Sequence, residues 1–347
     1  MTMTNVARVA KAVTGTLALL ACLCGASASA SATTLEQVKA RGYISCGSNP
    51  GLAGFGLPDD KGNWSGLDID VCRAVAAAIF DDPTKVKFVP LSAQNRYTAL
   101  QSGEIDVLSR NSTWTVTNES KAGLLYTAVN YYDGQSFMAR KKLNIASALE
   151  LNGASVCVQQ GTTSELNLAD YFRANGMKYE GVAFATLDEA IKAYDSGRCD
   201  SLTTDASGLY ALRVKLINPD EHVVLPEVIS KEPLTPVVRQ GDDQWFNVVK
   251  WVQFALINAE ELGVTKLNID EQLKSQNPSV KRLLGVEGDF GTSLGLTKDW
   301  ALHAIKAVGN YGEMFDRNVG EGSRLKIKRG LNNLWSKGGI VFAPPIR

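Results

Sequence analysis

The chain has 347 residues, 45% of them hydrophobic and 21% charged, with 36 basic and 36 acidic side chains. That is a globular composition, long enough for two domains, and zero net charge leaves no basic footprint for nucleic acid. With two histidines, six cysteines and no Cys-x-x-Cys pair, neither a histidine-based nucleophilic triad nor a cysteine metal site has much to draw on.

Arg8 and Lys11 precede a short apolar stretch, about residues 12–24, and an Ala-Ser run follows from Ala26 to Ala32. Charged start, apolar core and small-residue exit predict a cleaved secretory signal over 1–32, cut after Ala30 or Ala32. The core is shorter than the roughly 20 residues of a membrane span. A lipoprotein signal through Cys22 is the competing reading; Ala-Ser-Ala offers the better exit. No later stretch is long and apolar enough to span, so a free, soluble chain of about 315 residues is expected, with net charge near −2.

Strand and helix patterns then alternate. A short helix, Leu35–Ala40, leads into a strand, Tyr43–Cys46. Leu67–Phe80 reads as a helix capped by Asp68 or Asp70, with Val71, Val75, Ala78 and Ile79 as its apolar stripe. A strand over Val86–Val89, a helix over Tyr97–Gln101 and a strand over Ile105–Leu108 follow. The pattern repeats with a strand at Val156–Val158, then a helix over Leu166–Phe172 whose Leu166, Leu168, Ala169 and Phe172 share a face. Gly181–Phe184 is a strand, Leu187–Tyr194 a helix, and Cys199–Thr203 a strand. Ala-Leu-Gln-Ser-Gly-Glu-Ile-Asp-Val (99–107) and Ala-Tyr-Asp-Ser-Gly-Arg-Cys-Asp-Ser (193–201) share one phrase: helix end, Ser-Gly stop, strand with Asp. Alternation of this kind predicts parallel sheets with helices on both faces, here in two lobes of one design. A longer helix over Trp245–Glu261 and a mixed tail over about 290–347 complete the chain.

Cys46, Cys72, Cys157 and Cys199 remain after signal removal. An even number in an exported chain suggests disulfides, with three possible pairings. The expected pairing is 46–72 and 157–199; four reduced core thiols are the alternative.

Small polar groups gather where strands end. The first half offers Asn49, and Ser109 through Thr113 with Arg110 and Asn111; the second offers Gln160-Gly161-Thr162-Thr163, and Thr203-Thr204-Asp205. Ligands in open α/β sheets sit beyond the carboxyl ends of strands. A Gly-Thr-Thr corner opening a helix presents N–H groups that attract an anion, while Asp205 can meet a cation. Together they suit a zwitterion such as an amino acid. The plainer reading makes the hydroxyls helix caps, with Thr162 or Ser164 capping the next helix.

These residues resemble the polar amino-acid-binding proteins of bacterial ABC importers, the extracellular solute-binding proteins of family 3. The resemblance spans about 35–265 and rests on Gly66-Leu-Asp-Ile-Asp70, on 97–106, on Gln160–Thr163, and on Ser196–Asp200 followed by Asp205. The tail, with Val-Gly-Asn-Tyr-Gly-Glu (308–313) and an Ala-Pro-Pro ending, is similar to the general L-amino-acid-binding branch. The resemblance implies an α/β Venus-flytrap of the periplasmic-binding-protein type II class, two doubly wound lobes joined by two hinge strands. Lobe I is expected over 33–135 and 236–347, lobe II over 136–235, with crossings near Tyr132–Phe137 and Pro233–Val238. It further implies a monomer in the periplasm that binds an L-amino acid and serves an inner-membrane ABC permease, with no catalysis, cofactor or metal. Motif by motif, Gly161, Thr162 and Thr163 take the carboxylate-binding turn, Asp205 the acid that grips the ammonium, and Asn111 and Thr113 the hydroxyl-rich turn. The sequence departs from the family at Asn118, where an arginine is usual, leaving Arg96 or Arg110 to hold the carboxylate. It departs again at Asn49, where an acid is common, and at Leu52, where an aromatic ring is common, with Phe55 nearby. These departures point to a broad pocket that grips backbone groups. The rival is a dehydratase-like enzyme on the same scaffold, which would need a second titrating group beside Asp205.

Overall fold

The computed structural model describes residues 32–347; apart from Ala32, the signal expected over 1–32 lies outside the described residues. Among the described residues no helix is long and apolar enough to cross a membrane. The chain begins with the helix Thr34–Arg41, closed at its start by a reciprocal Thr33–Glu36 cap. It then builds β1 (Ile44–Ser48), a ribbon of β2 (Leu57–Pro58) and β3 (Trp64–Ser65), β4 (Val86–Pro90), β5 (Val107–Leu108) and β6 (Leu124–Tyr126). A crossing strand, β7 (Tyr131–Asp133), leads to β8 (Gln135–Arg140), β9 (Ser155–Gln159), β10 (Glu180–Phe184), β11 (Ser201–Asp205) and β12 (His222–Val224). The return runs through β13 (Glu232–Leu234) to β14 (Val237–Arg239).

Two five-stranded sheets result, ordered β4-β1-β5-β14-β6 and β10-β9-β11-β8-β12. They are mixed, where alternation alone predicts parallel ones. β1 runs parallel to β4 and β5, and β9 parallel to β10 and β11. β14 and β8 run antiparallel to their neighbours. The reason is topological. Parallel neighbours need a crossover from strand end to strand start, whereas β8 and β14 each enter from the other lobe. The crossing strands themselves pair antiparallel, with Glu232 opposite Asp133, Pro233 opposite Tyr132 and Leu234 opposite Tyr131.

The helix Leu67–Phe80 starts at Gly66 with φ 136° and no side-chain cap. A Cβ on Gly66 would lie 2.0 Å from the Phe55 carbonyl oxygen, so the close approach selects glycine. Asp68 and Asp70 are therefore not caps; both turn inward to other partners, Asp70 to Arg317 at 2.6 Å. The helix Thr163–Ala174 buries Leu168 and Phe172, but Leu166 stays 67% exposed, so the apolar face is narrower than its sequence suggests. Phe55 is buried and edge-on to Tyr131, a core ring with no free face for a solute.

Both expected disulfides are present. Cys46–Cys72 ties β1 to the helix beside it, and Cys157–Cys199 ties β9 to the approach of β11. Each contributes about 3 kcal/mol by restricting the unfolded chain. The tail packs beside the first sheet: its helix Trp300–Val308 lies on Leu67–Phe80 and on the helix Asp243–Glu261. It also holds a crossing strand, since Asn332 accepts the Tyr132 N–H at 2.7 Å and donates to the Tyr132 carbonyl at 3.0 Å.

Candidate functional site

On the first lobe the strand-end groups are anchored by one buried acid. Asp68 accepts the Asn111 N–H at 2.7 Å, the Asn130 amide at 2.9 Å and the Ser109 hydroxyl at 3.4 Å. This holds Asn111 at φ 35°, a left-handed value that asparagine tolerates better than most residues. Asn49 donates to Asn111 Oδ1 at 3.1 Å and accepts the Gly51 N–H at 3.0 Å, so its amide fixes the loop after β1. Arg110 is buried and its Nε donates to the Leu91 carbonyl at 2.8 Å. Burial, then repulsion from Arg96, lowers its pKa to about 9. Arg96, at the start of the helix Arg96–Gln101, is buried too, and its Nε has no hydrogen-bond partner among the described residues. Two guanidinium groups thus share one corner. Asn118, at the usual arginine position, donates instead to the Thr113 carbonyl at 3.2 Å.

The second lobe presents two helix N-termini. Thr162 caps Thr163–Ala174, accepting the Glu165 N–H at 3.4 Å and donating to the Gln159 carbonyl at 2.7 Å. Its hydroxyl is therefore committed to the cap. Gly161 is exposed at φ 73°, gives its N–H to Glu165 at 2.9 Å, and faces Gln94 of the first lobe, which a Cβ would approach to 3.2 Å. Thr163 reaches further: its Oγ1 donates to Glu232 at 2.9 Å and lies 3.4 Å from Thr113 Oγ1 across the cleft. The N–H groups of Thr163 and Ser164, in the first turn, have no intrahelical acceptor.

Asp205 ends β11 and stands at the head of the helix Ala206–Arg213, without capping it. It is buried, and no side chain or other residue's backbone hydrogen-bonds its carboxylate among the described residues. Burial, then the charges of Asp133 and Glu232, push its pKa well above the usual carboxylate value, against the pull of Arg96. The arrangement sets cations on the first lobe against a raised, unpaired acid on the second. Beside Arg110 a cleft of about 320 Å³ opens between the lobes, lined by Asn49, Leu91 and Arg110 on one side and Gln159, Thr186 and Asp188 on the other; Asp205 and Thr163 lie outside its lining. Lys215 crosses its mouth, donating to the Gly51 carbonyl at 2.7 Å and pairing with Asp188 at 3.1 Å. No group of three or more His, Cys, Asp or Glu suited to a metal occurs among the described residues.

Thus Thr113 meets Thr163, Arg96 stands beside Arg110, and Asn49 joins Asn111, while Thr162 and Gly161 serve the turn itself. Sequence reasoning missed Asp133, Glu232 and Lys215. His222, whose neighbours Pro-Asp-Glu read as a surface loop, is buried with its Nδ1 2.7 Å from the Tyr194 hydroxyl.

The model of the bacterial extracellular solute-binding proteins, family 3, matches residues 44–266. The chain belongs to this family. It is 63% identical to the general L-amino acid-binding periplasmic protein AapJ of Rhizobium johnstonii, over 93% of this chain and 95% of that one. It is 54% identical to the glutamate/glutamine/aspartate/asparagine-binding protein BztA of Rhodobacter capsulatus, over 96% and 98%. Among solved structures, a periplasmic binding protein from Brucella ovis with glutathione bound shares 60% identity at a TM-score of 0.90, covering 91% of this chain and all of that one. The two sheets and crossing strands are the family-3 architecture, a two-lobed type II binding protein. The family match ends before the tail, but these relatives cover it.

Proposed function

We propose that this protein is a periplasmic receptor for L-amino acids that serves an ABC importer, exported through a cleaved signal and acting as a monomer without catalysis. The names of AapJ and BztA support the ligand class. The observation that carries the reading is Asp205, a buried carboxylate with no counter-ion in hydrogen-bond reach among the described residues. A buried acid of this kind is poised for a cation brought from outside, since an unpaired buried charge is costly. The α-ammonium meets Asp205. The α-carboxylate meets the free N–H groups of Thr163 and Ser164 and the positive corner of Arg96 and Arg110. Thr113 and the Asn49–Asn111 pair complete the first-lobe wall.

Residues 33–135 with 236–347 form one moving body and 136–235 the other. Ligand contacts to both bodies exist only when the cleft is shut, and that differential affinity favours closure. The closed surface is what the inner-membrane permease reads. Shared backbone groups dominate the grip, so specificity is broad. The dehydratase alternative needs a free acid–base pair. The acids near Asp205 are instead occupied by internal donors, Asp133 by Ser207 and Gly134, Glu232 by Thr163 and Asn167.

A thermal-shift screen against the twenty amino acids tests the reading. A ligand at a hundredfold excess over Kd adds about 2.7 kcal/mol of stability. No shift with any of them, or unchanged glutamate and alanine affinity in Asp205→Ala, overturns it.

A further inference from the structure

The two crossing strands carry two acids that sit opposite each other in register, Asp133 on β7 and Glu232 on β13. Each reaches out of its strand to the first turn of a different cleft helix. Glu232 accepts from Thr163 Oγ1 at 2.9 Å and from Asn167 Nδ2, one turn further along the same helix, at 2.7 Å. Asp133 accepts from both the N–H and the hydroxyl of Ser207, two residues past Asp205. Glu232 is 1% exposed, so its donors are not interchangeable with water.

We propose that Glu232 and Asp133 are positioning residues that fasten the two ligand-facing helix turns to the crossing strands. This rests on the amino-acid reading of the cleft. A buried carboxylate could be satisfied by donors of its own strand alone. Here Ser230 and Gly134, next to the crossing strands, do donate, to Glu232 at 2.6 Å and to Asp133 at 2.9 Å, but each acid also takes two donors from a turn or helix that carries Thr163 or follows Asp205, so each crossing strand is tied to one arm of the cleft.

The chemistry has a second consequence. A hydroxyl has one proton, and that of Thr163 is given to Glu232. The oxygen it shows the cleft is therefore an acceptor, and it presents a lone pair to the Thr113 hydroxyl. Without Glu232 the hydroxyl is free to rotate, and the turn that carries the Thr163 and Ser164 N–H groups loses its tether. Glu232 thus sets the polarity of the turn as well as its place.

A double-mutant cycle on ligand affinity tests this, with L-glutamate and L-alanine as calorimetric probes on the mature chain. Glu232→Gln and Thr163→Val are each expected to weaken binding about tenfold, and the double variant is expected to be no weaker than the worse single, a coupling of about tenfold. A purely structural acid would lower Tm without this coupling, so Tm is measured for all four proteins. Asp133→Asn with Ser207→Ala forms an independent cycle with the same expectation, and it carries the test should Glu232→Gln not fold. Additive effects in a folded cycle, about a hundredfold in the double variant, overturn the proposal. Wild-type protein that binds neither probe overturns the amino-acid reading and this proposal together.

Discussion

The two walls of the cleft are built on different plans. The first-lobe wall is anchored within its own lobe: Asp68 holds Ser109, Asn111 and Asn130, and Arg110 is tied to Leu91. The second-lobe wall is hung from the crossing strands, through Glu232 to Thr163 and through Asp133 to Ser207. One wall is held within its own lobe, and the other is wired to the strands that cross between the lobes. If the cleft closes as proposed, the two walls respond differently, because a ligand shifts a conformational equilibrium only through contacts that differ between its states.

The strongest way to break this contrast is at the unpaired acid. Asp205→Ala is expected to cost about 4 kcal/mol of ligand binding, close to a thousandfold in Kd by calorimetry. A smaller, stability-side effect belongs to the crossing strands. Burial pushes the Asp133 carboxyl up to about 6 from 3.8. Its folded pKa lies above its unfolded value, so the folded state holds the proton more tightly. The stability this contributes is fully present below about pH 4 and lost as pH rises through 6, about 3 kcal/mol in all. Asp133→Asn should reduce that slope in denaturant titrations of unliganded protein, whereas Asn49→Ala on the first-lobe wall, which removes no titrating group, should not.

The first-lobe side can be sharpened by separating its two cations. Arg96 has an unpartnered Nε while that of Arg110 is spent on Leu91. Arg96→Met is therefore expected to weaken binding by about 2 kcal/mol, and Arg110→Met by about 1 kcal/mol. Equal losses would mean that both guanidinium groups face the solute alike. The smallest effect is expected at Lys215, whose exposed bridge to Gly51 is worth at most about 1 kcal/mol. Lys215→Met should raise the ligand dissociation rate about threefold in stopped-flow traces.

The elements around both walls were legible in sequence because their signals are local. Ser-Gly stops, apolar runs and the Gly-Thr-Thr corner fixed helices and strand ends to within a few residues. The repeated phrase at 99–107 and 193–201 gave two lobes of one design. Thr162 was readable as a cap from its neighbours alone. Asp68 was not readable as an anchor, since its partners lie 41, 43 and 62 residues away. Glu232, inside Ser-Lys-Glu-Pro, has the composition of a solvated linker; only the pairing of β7 with β13 turns it inward. Sheet direction was misread for the same reason, because a strand entering from another lobe carries no local mark of its sense.

The tail makes a different kind of statement. Asn332 mimics a strand edge against Tyr132, and the Tyr311 hydroxyl donates to the Asn130 carbonyl at 2.9 Å. Asn130 in turn donates to Asp68. Cutting the chain after residue 266, where the family signature stops, would strip the cover from the helix Leu67–Phe80 and release the outer side of β7. The last eighty or so residues are thus a second backing plate for the crossing strand, and the shared family signature leaves out a part of this chain against which that strand and the helix Leu67–Phe80 pack.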